Sequence, residues 1–281
     1  MTQPPTHRAP ARSALKLVPI TRLAQGGRWR TEAMRSYRAP LLLWFTRGQG
    51  RITVAGTTRG YGPHNAIFVP PGLMNGFEMT RQVFGTALFF DTDSTACLPS
   101  EPLHLRIRHA TAQAEVTGVL DALQREIDHD RPARDRAITH QAGLLSVWLE
   151  RQRQIAAEDA ARVPDTQPLA ARRLVQRYTA LVEGQLYTGQ SVGDYAEMLG
   201  VTATHLSRCC NLTCNRSASD LLQDRLTYEA RRLLLETRLP VRQVAEVLGF
   251  RSAAYFTRAF QRRTGQTPSL FRAGGSEQRL M

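Results

Sequence analysis

Two short pairings in the C-terminal third have the side chains needed to read nucleic acid. Ser207-Arg208 and Thr257-Arg258 sit at equivalent places in two similar stretches, with Asn211 and Gln261 one helical turn later and Thr204 and Ala254 one turn earlier. An arginine guanidinium can bond guanine through two parallel hydrogen bonds, and Ser, Thr, Asn and Gln can donate or accept at base edges or phosphates. A lone helical arginine is ordinarily just a solvated charge. The matched Ser/Thr-Arg pair in both stretches points instead to a double base-reading surface.

Such side chains need helices to hold them, and the flanking sequence supplies two. "YAEMLGVTATHLSRCC" from Tyr195 recurs about 50 residues on as "VAEVLGFRSAAYFTRAF" from Val244, with Ala196 on Ala245 and Gly200 on Gly249. One extra residue near Arg251 brings Leu206 onto Phe256 and Arg208 onto Arg258. Two helices crossing steeply over a short turn need a small residue at their contact and a residue tolerant of positive φ in the turn. The alanines and glycines meet those needs. Tyr195, Leu199, Val201 and Leu206, like Val244, Leu248, Phe250 and Phe256, fall beneath the crossing as core. Thr202 and Ser252 stand where a side-chain oxygen caps the second helix. Each copy is therefore predicted to be a helix-turn-helix unit.

The series "LSR" at Leu206 to Arg208, "RLTYEARRLLLET" from Arg225, "VAEVLGF", "YFTRAFQ" and "GQTPSLFR" ending at Arg272 resembles the AraC/XylS family of bacterial regulators. The resemblance runs from near Ser191 to Arg272. It implies two helix-turn-helix subdomains joined by a long helix over 217–237, promoter DNA and RNA polymerase as partners, and transcription activation under control of the N-terminal domain. The first copy departs from the family pattern. Cys209-Cys210 replace the common apolar-Phe pair, and Asn215 stands where Gly is usual. Asn tolerates positive φ, so the turn is expected to survive. Cys210 and Cys214 read as buried structural thiols rather than as a sensor or metal site.

Upstream, "LLLWF", "RITV", "AIFVP" and "VFGTALFF" are short β-prone runs separated by turn residues, predicting an antiparallel sheet or small barrel. "GPHNAIFVPPGLMNGF" resembles the cupin-like sensor domain of the same family. The binding reading places an effector in the barrel interior, with Trp29, Arg38, Trp44, His64 and Asn75 as candidate lining residues. The rival is a cupin metalloenzyme, which needs a tight histidine set. His64 stands alone and Asn75 occupies a frequent histidine position, so no metal, cofactor or catalytic residue is expected. A third reading makes the N-terminal domain an effector-independent homodimerisation unit. Helical spacing over 111–153, broken near Arg131-Pro132, offers Leu144, Leu145 and Trp148 as a packing face.

The 281-residue length and net charge of +13 fit two domains and a phosphate-bearing partner. Lys16 is the sole lysine, so the basic charge is almost all arginine. No run of about 18 apolar residues and no apolar leader occur, and a cytoplasmic chain with no membrane partner is expected. The expected organisation is α+β and multidomain. It comprises a mobile tail over 1–14, a cupin-like β-barrel over 15–110, helices over 111–155 and a linker over 156–168. An all-α double helix-turn-helix domain over 169–272 and a tail over 273–281 complete the chain.

Overall fold

The computed structural model describes residues 15–91, 97–160 and 169–277. The expected N-terminal tail and most of the expected linker lie outside these residues.

The N-terminal part is built of β1 (Lys16–Pro19), α1 (Ile20–Leu23), α2 (Trp29–Glu32), β2 (Leu41–Arg47), β3 (Gly50–Val54), β4 (Thr57–Tyr61), β5 (Asn65–Val69), β6 (Asn75–Phe77), β7 (Phe84–Phe89) and β8 (Leu103–Arg106). The helices α3 (Ala110–Asp128) and α4 (Arg134–Ala160) follow. The strands form an antiparallel five-stranded sheet ordered β1-β7-β2-β5-β8 and a three-stranded sheet ordered β4-β3-β6. These are two separate sheets facing each other, not the closed barrel expected. Directly after β5 come Pro70 and Pro71, which lack the amide hydrogens to extend its ladder. The chain then crosses to the smaller sheet as β6.

Why β2 and β5 read as unbroken apolar runs follows from burial of the larger sheet on both faces. Leu41, Leu43, Phe45, Ile67 and Val69 point between the sheets. Their neighbours Leu42, Trp44, Ala66 and Phe68 point the other way, beneath Val116, Leu120, Leu145 and Trp148 of α3 and α4. Trp148 also donates its Nε1–H to the Ala112 carbonyl, 3.2 Å away. Leu145 and Trp148, of the face offered either for a dimer or for packing on its own domain, do the latter, while Leu144, Val147 and Ile155 remain exposed along α4. That helix continues past residue 155 to Ala160, so the first residues of the expected linker are helical.

The C-terminal part is all helix: α5 (Leu169–Gly184), α6 (Val192–Met198), α7 (Ala203–Cys214), α8 (Ala218–Glu236), α9 (Val241–Val247), α10 (Ala253–Thr264) and α11 (Pro268–Glu277). It holds two cores. Tyr178, Tyr195, Leu206, Cys210 and Leu221 belong to one, and Leu234, Val244, Leu248, Phe256 and Phe260 to the other. Helix α11 runs into the stretch expected as a C-terminal tail.

A buried ion network joins α5 to α8. Arg225 grips Glu183 through Nε at 2.7 Å and Nη2 at 3.1 Å, and reaches Glu229 through Nη1 at 3.1 Å. Glu229 also accepts from Arg232 at 2.6 Å and from the Tyr187 hydroxyl at 2.6 Å. Burial alone would raise the Glu229 pKa, but the hydrogen bond from Arg232, the Arg225 charge and the Tyr187 hydroxyl hold it down to about 2, from an ordinary 4.5. A carboxylate whose pKa is depressed on folding adds stability that is complete above its unfolded pKa and is lost as pH falls through the folded one. Glu229→Gln is therefore expected to be less stable than the wild type at neutral pH and to converge with it between pH 4.5 and 2. Urea unfolding across that range reads the effect; parallel curves at every pH would contradict it.

Candidate nucleic-acid interface

The two helix-turn-helix units repeat in geometry as they do in sequence. α6 and α7 form the first, α9 and α10 the second. Their turns carry Gly200 at φ 69° and Gly249 at φ 74°. The Thr202 hydroxyl accepts from the His205 amide at 3.1 Å and the Ser252 hydroxyl from the Tyr255 amide at 3.2 Å, so α7 and α10 begin on equivalent caps. Their far ends match as well. Asn215 and Gly265 adopt left-handed conformations and donate to the Asn211 and Gln261 carbonyls. Asn215 thus makes the turn expected of it.

Burial repeats at six matched pairs of positions, although Thr213 and Cys214 are buried where Arg263 and Thr264 are not. Leu206 and Cys210 point inward as Phe256 and Phe260 do. Arg208, Asn211 and Thr204 are exposed, like Arg258, Gln261 and Ala254, while Ser207 and Thr257 are half-buried beside them. Thr204, Ser207, Arg208 and Asn211 line one shallow depression on α7. The sequence-derived base-reading residues therefore form one outward face on each helix.

Cys210 occupies the place that Phe260 holds in the second unit, and the core beneath it draws on another domain. Met34 and Met74 of the β-sandwich join the cluster that contains Cys209, Cys210 and Cys214. Burial, together with the neighbouring cysteines, pushes the Cys210 thiol up to about 12, and burial also raises Cys214. Thiols so protonated are poor nucleophiles.

The sandwich is tied to the helical domain by further contacts. The Met34 amide donates to Asp224 at 2.9 Å, and the Ser36 hydroxyl donates to Glu183 at 2.6 Å. Trp29 lies 5.6 Å from the Tyr228 ring and 6.0 Å from the Phe271 ring, with the Arg231 guanidinium 5.1 Å over it. One side chain of the sandwich thereby touches α8 and α11 together.

Of the five residues expected to line an effector site, Trp44 and His64 lie together with ring centroids 6.0 Å apart, and the other three are elsewhere. Trp29 is at the domain junction, Arg38 is exposed, and Trp44 faces α3 and α4. His64 is exposed in a turn at φ 60°. Asn75 is buried and paired through its backbone with Arg35. Between the sheets the space is filled by Phe45 stacked on Tyr61 at 4.0 Å, with Phe77 edge-on. A cavity of about 270 Å³ runs from the inter-sheet residues Ile52 and Ile67 to α5. Its apolar wall includes Ile52, Val54, Ile67 and Leu103, and its polar wall Arg59, Glu101, His104, Arg172, Arg173 and Gln176. Burial, with the Arg59 charge beside it, pushes His104 down to about 4, so it is a neutral imidazole at pH 7, 3.2 Å from Asn65 Oδ1. Sequence spacing carried no signal for this site, because its lining comes from three separate segments, 52–67, 101–104 and 169–176.

No helix among the described residues is long and apolar enough to cross a membrane, and no group of three or more His, Cys, Asp or Glu residues there could hold a metal ion.

Residues 195–274 match the family described as "Helix-turn-helix domain". The Arabinose operon regulatory protein of Escherichia coli is 31% identical over 86 residues, 31% of this chain and 30% of that protein. The HTH-type transcriptional regulator RipA of Corynebacterium glutamicum is 33% identical over 113 residues, 40% and 34% of the two chains. The chain thus spans about a third of the length of the curated relatives it matches. Among solved structures, the C-terminal domain of AraT, a response regulator from Geobacillus stearothermophilus, is 26% identical. The match covers 39% of this chain and 88% of that one, with a TM-score of 0.34. ToxT from Vibrio cholerae matches over 92% of this chain and 97% of that one at 11% identity and a TM-score of 0.42. The helical domain is a double helix-turn-helix domain. In sequence it is similar to the matching part of the arabinose operon regulatory protein.

Of the four thiols, Cys97 is exposed and Cys209, Cys210 and Cys214 are buried. Brief alkylation of the native chain with iodoacetamide is expected to modify Cys97 alone, as read by peptide mass spectrometry. Comparable modification of Cys210 or Cys214 would contradict the structural assignment of these thiols.

Proposed function

We propose that the chain is a sequence-specific transcription regulator that inserts α7 and α10 into successive major-groove segments of promoter DNA. The observation that carries this reading is the matched exposure of Ser207, Arg208 and Asn211 with Thr257, Arg258 and Gln261. Two similar outward faces on capped helices suit two successive groove segments, and the basic charge of the chain suits phosphate. Arg208 and Arg258 are the proposed guanine contacts. Arg258→Ala is expected to cost about 1 to 3 kcal/mol and to relax preference at one base pair. Arg208→Ala is expected to act at a position roughly 10 base pairs away. Affinities for single-base operator variants at several salt concentrations read both effects. A uniform weakening over all sequences, with the salt slope lowered by about one, would reassign that arginine to phosphate.

The sandwich is proposed as the effector-sensing domain, with the cavity against α5 as its site. Apolar walls beside Arg59, Arg172 and Arg173 suit an organic anion with an apolar body. An occupant would touch both domains at once, which is what control of a DNA-binding domain by a ligand requires. A thermal-shift screen of aliphatic and aryl carboxylates against the corresponding alcohols tests this. Carboxylates are expected to raise Tm in the wild type and to lose that effect in Arg173→Ala. Equal shifts from the neutral alcohols, or shifts unaffected by Arg173→Ala, would rule out the anion site.

A further inference from the structure

The two helix-turn-helix units have separate cores, and Leu226 on α8 packs against both. They also meet away from α8, backbone against backbone. Gly189, in the loop between α5 and α6, has φ 73°, and Gly249, in the turn between α9 and α10, has φ 74°. A Cβ on Gly249 would overlap the Gly189 amide nitrogen and lie 2.5 Å from Gly189 Cα, where ordinary contact is 3.4–4 Å. A Cβ on Gly189 would overlap the Gly249 carbonyl oxygen and lie 3.2 Å from its carbon. Neither strand of backbone has room for any side chain.

Gly200 isolates what is special here. It occupies the same turn position in the first unit, at φ 69°, and its missing Cβ would meet nothing within 4 Å. Turn geometry favours glycine in both units, whereas close approach demands it in the second. Separate polar contacts tie the flanking segments to α8. Arg263 bonds Asp220 at 3.0 Å, and Tyr187, two residues before Gly189, bonds Glu229 of α8 at 2.6 Å.

We propose that the Gly189–Gly249 backbone contact locks the two helix-turn-helix units at one separation and so sets the spacing between the two DNA segments the chain accepts. This rests on the DNA-reading function proposed above, and it assigns to two glycines that touch no base the role of positioning residues. A side chain inserted at the seam must part the backbones by about 1 Å. α10 follows its own turn, so its face shifts relative to α7 while each face stays intact. Base preference within each segment is then retained, and discrimination between spacings is lost.

The test compares Gly189→Asn, Gly249→Asn and Gly200→Asn in the full chain. Asparagine is the residue that best tolerates positive φ after glycine, so all three share the conformational cost, and Gly200→Asn lacks the collision. Spin labels on Glu197→Cys in α6 and Arg262→Cys in α10, in a Cys97→Ser background, report the separation of the units without DNA. The wild-type background and Gly200→Asn are expected to give one narrow distance, and the two seam variants a shifted or broadened one. On DNA, one base pair inserted between the two recognised segments is expected to cost the wild type about tenfold in affinity and the seam variants less than about threefold. An unchanged narrow distance in Gly249→Asn, or wild-type spacing discrimination in both seam variants, overturns the proposal. Should the wild type select no two-segment site, the DNA-reading function fails and the spacing role with it, while the distance measurement still decides whether the contact locks the units.

Discussion

Arg225 of α8 is almost wholly buried against α5, and the contact between those two helices is built around satisfying it. A guanidinium withdrawn from water costs several kcal/mol, offset when carboxylates of good geometry surround it. Glu183 and Glu229 supply that, and each is itself held by groups from elsewhere. Ser36 of the sandwich donates to Glu183, while Tyr187 and Arg232 donate to Glu229. Removing Arg225 would strand two acidic groups at a cost of about 3–5 kcal/mol. It would also release α5, which forms one wall of the cavity and leads directly into the loop that carries Gly189. One buried charge thereby underlies the domain junction, the cavity and the seam between the helix-turn-helix units.

The division of labour follows from this arrangement. The outward faces of α7 and α10 stay clear of packing because burial falls on the opposite side, at Leu206, Cys210 and Cys214 of α7 and at Phe256 and Phe260 of α10. The sandwich meanwhile reaches the helical domain at residues that read no DNA: Trp29 against Tyr228 and Phe271, Met34 against Asp224, Ser36 against Glu183. A ligand in the proposed site between Arg59 of the sandwich and Arg173 of α5 would bear on the junction rather than on the outward faces of α7 and α10.

How much of this was legible in the sequence depended on distance along the chain. The helix-turn-helix repeat is local, so Gly200, Gly249, Thr202 and Ser252 announced its turns and caps, and the exposed residues of α7 and α10 followed from helical period. Burial on both faces was implicit in the unbroken "LLLWF" run, yet a run of that kind does not say whether a sheet closes. Two sheets in place of a barrel became apparent from pairing alone. Strands β1, β4, β6 and β8 are short or polar and gave weak signals. Asn75 draws notice for its place after the double-proline turn and Trp29 as a tryptophan of the same domain, but the one pairs with the backbone of Arg35 and the other with rings of α8 and α11. The close approach of Gly189 to Gly249 left no trace either, since a turn glycine and a contact glycine are spelled alike.

The central claim is that α7 and α10 read DNA together from one face. Hydroxyl-radical footprinting of the full chain on a site selected from random duplex DNA tests it most directly. The account predicts two protected segments on the same face, centred roughly 10 base pairs apart. A single protected segment, or two lying on opposite faces of the duplex, would contradict it.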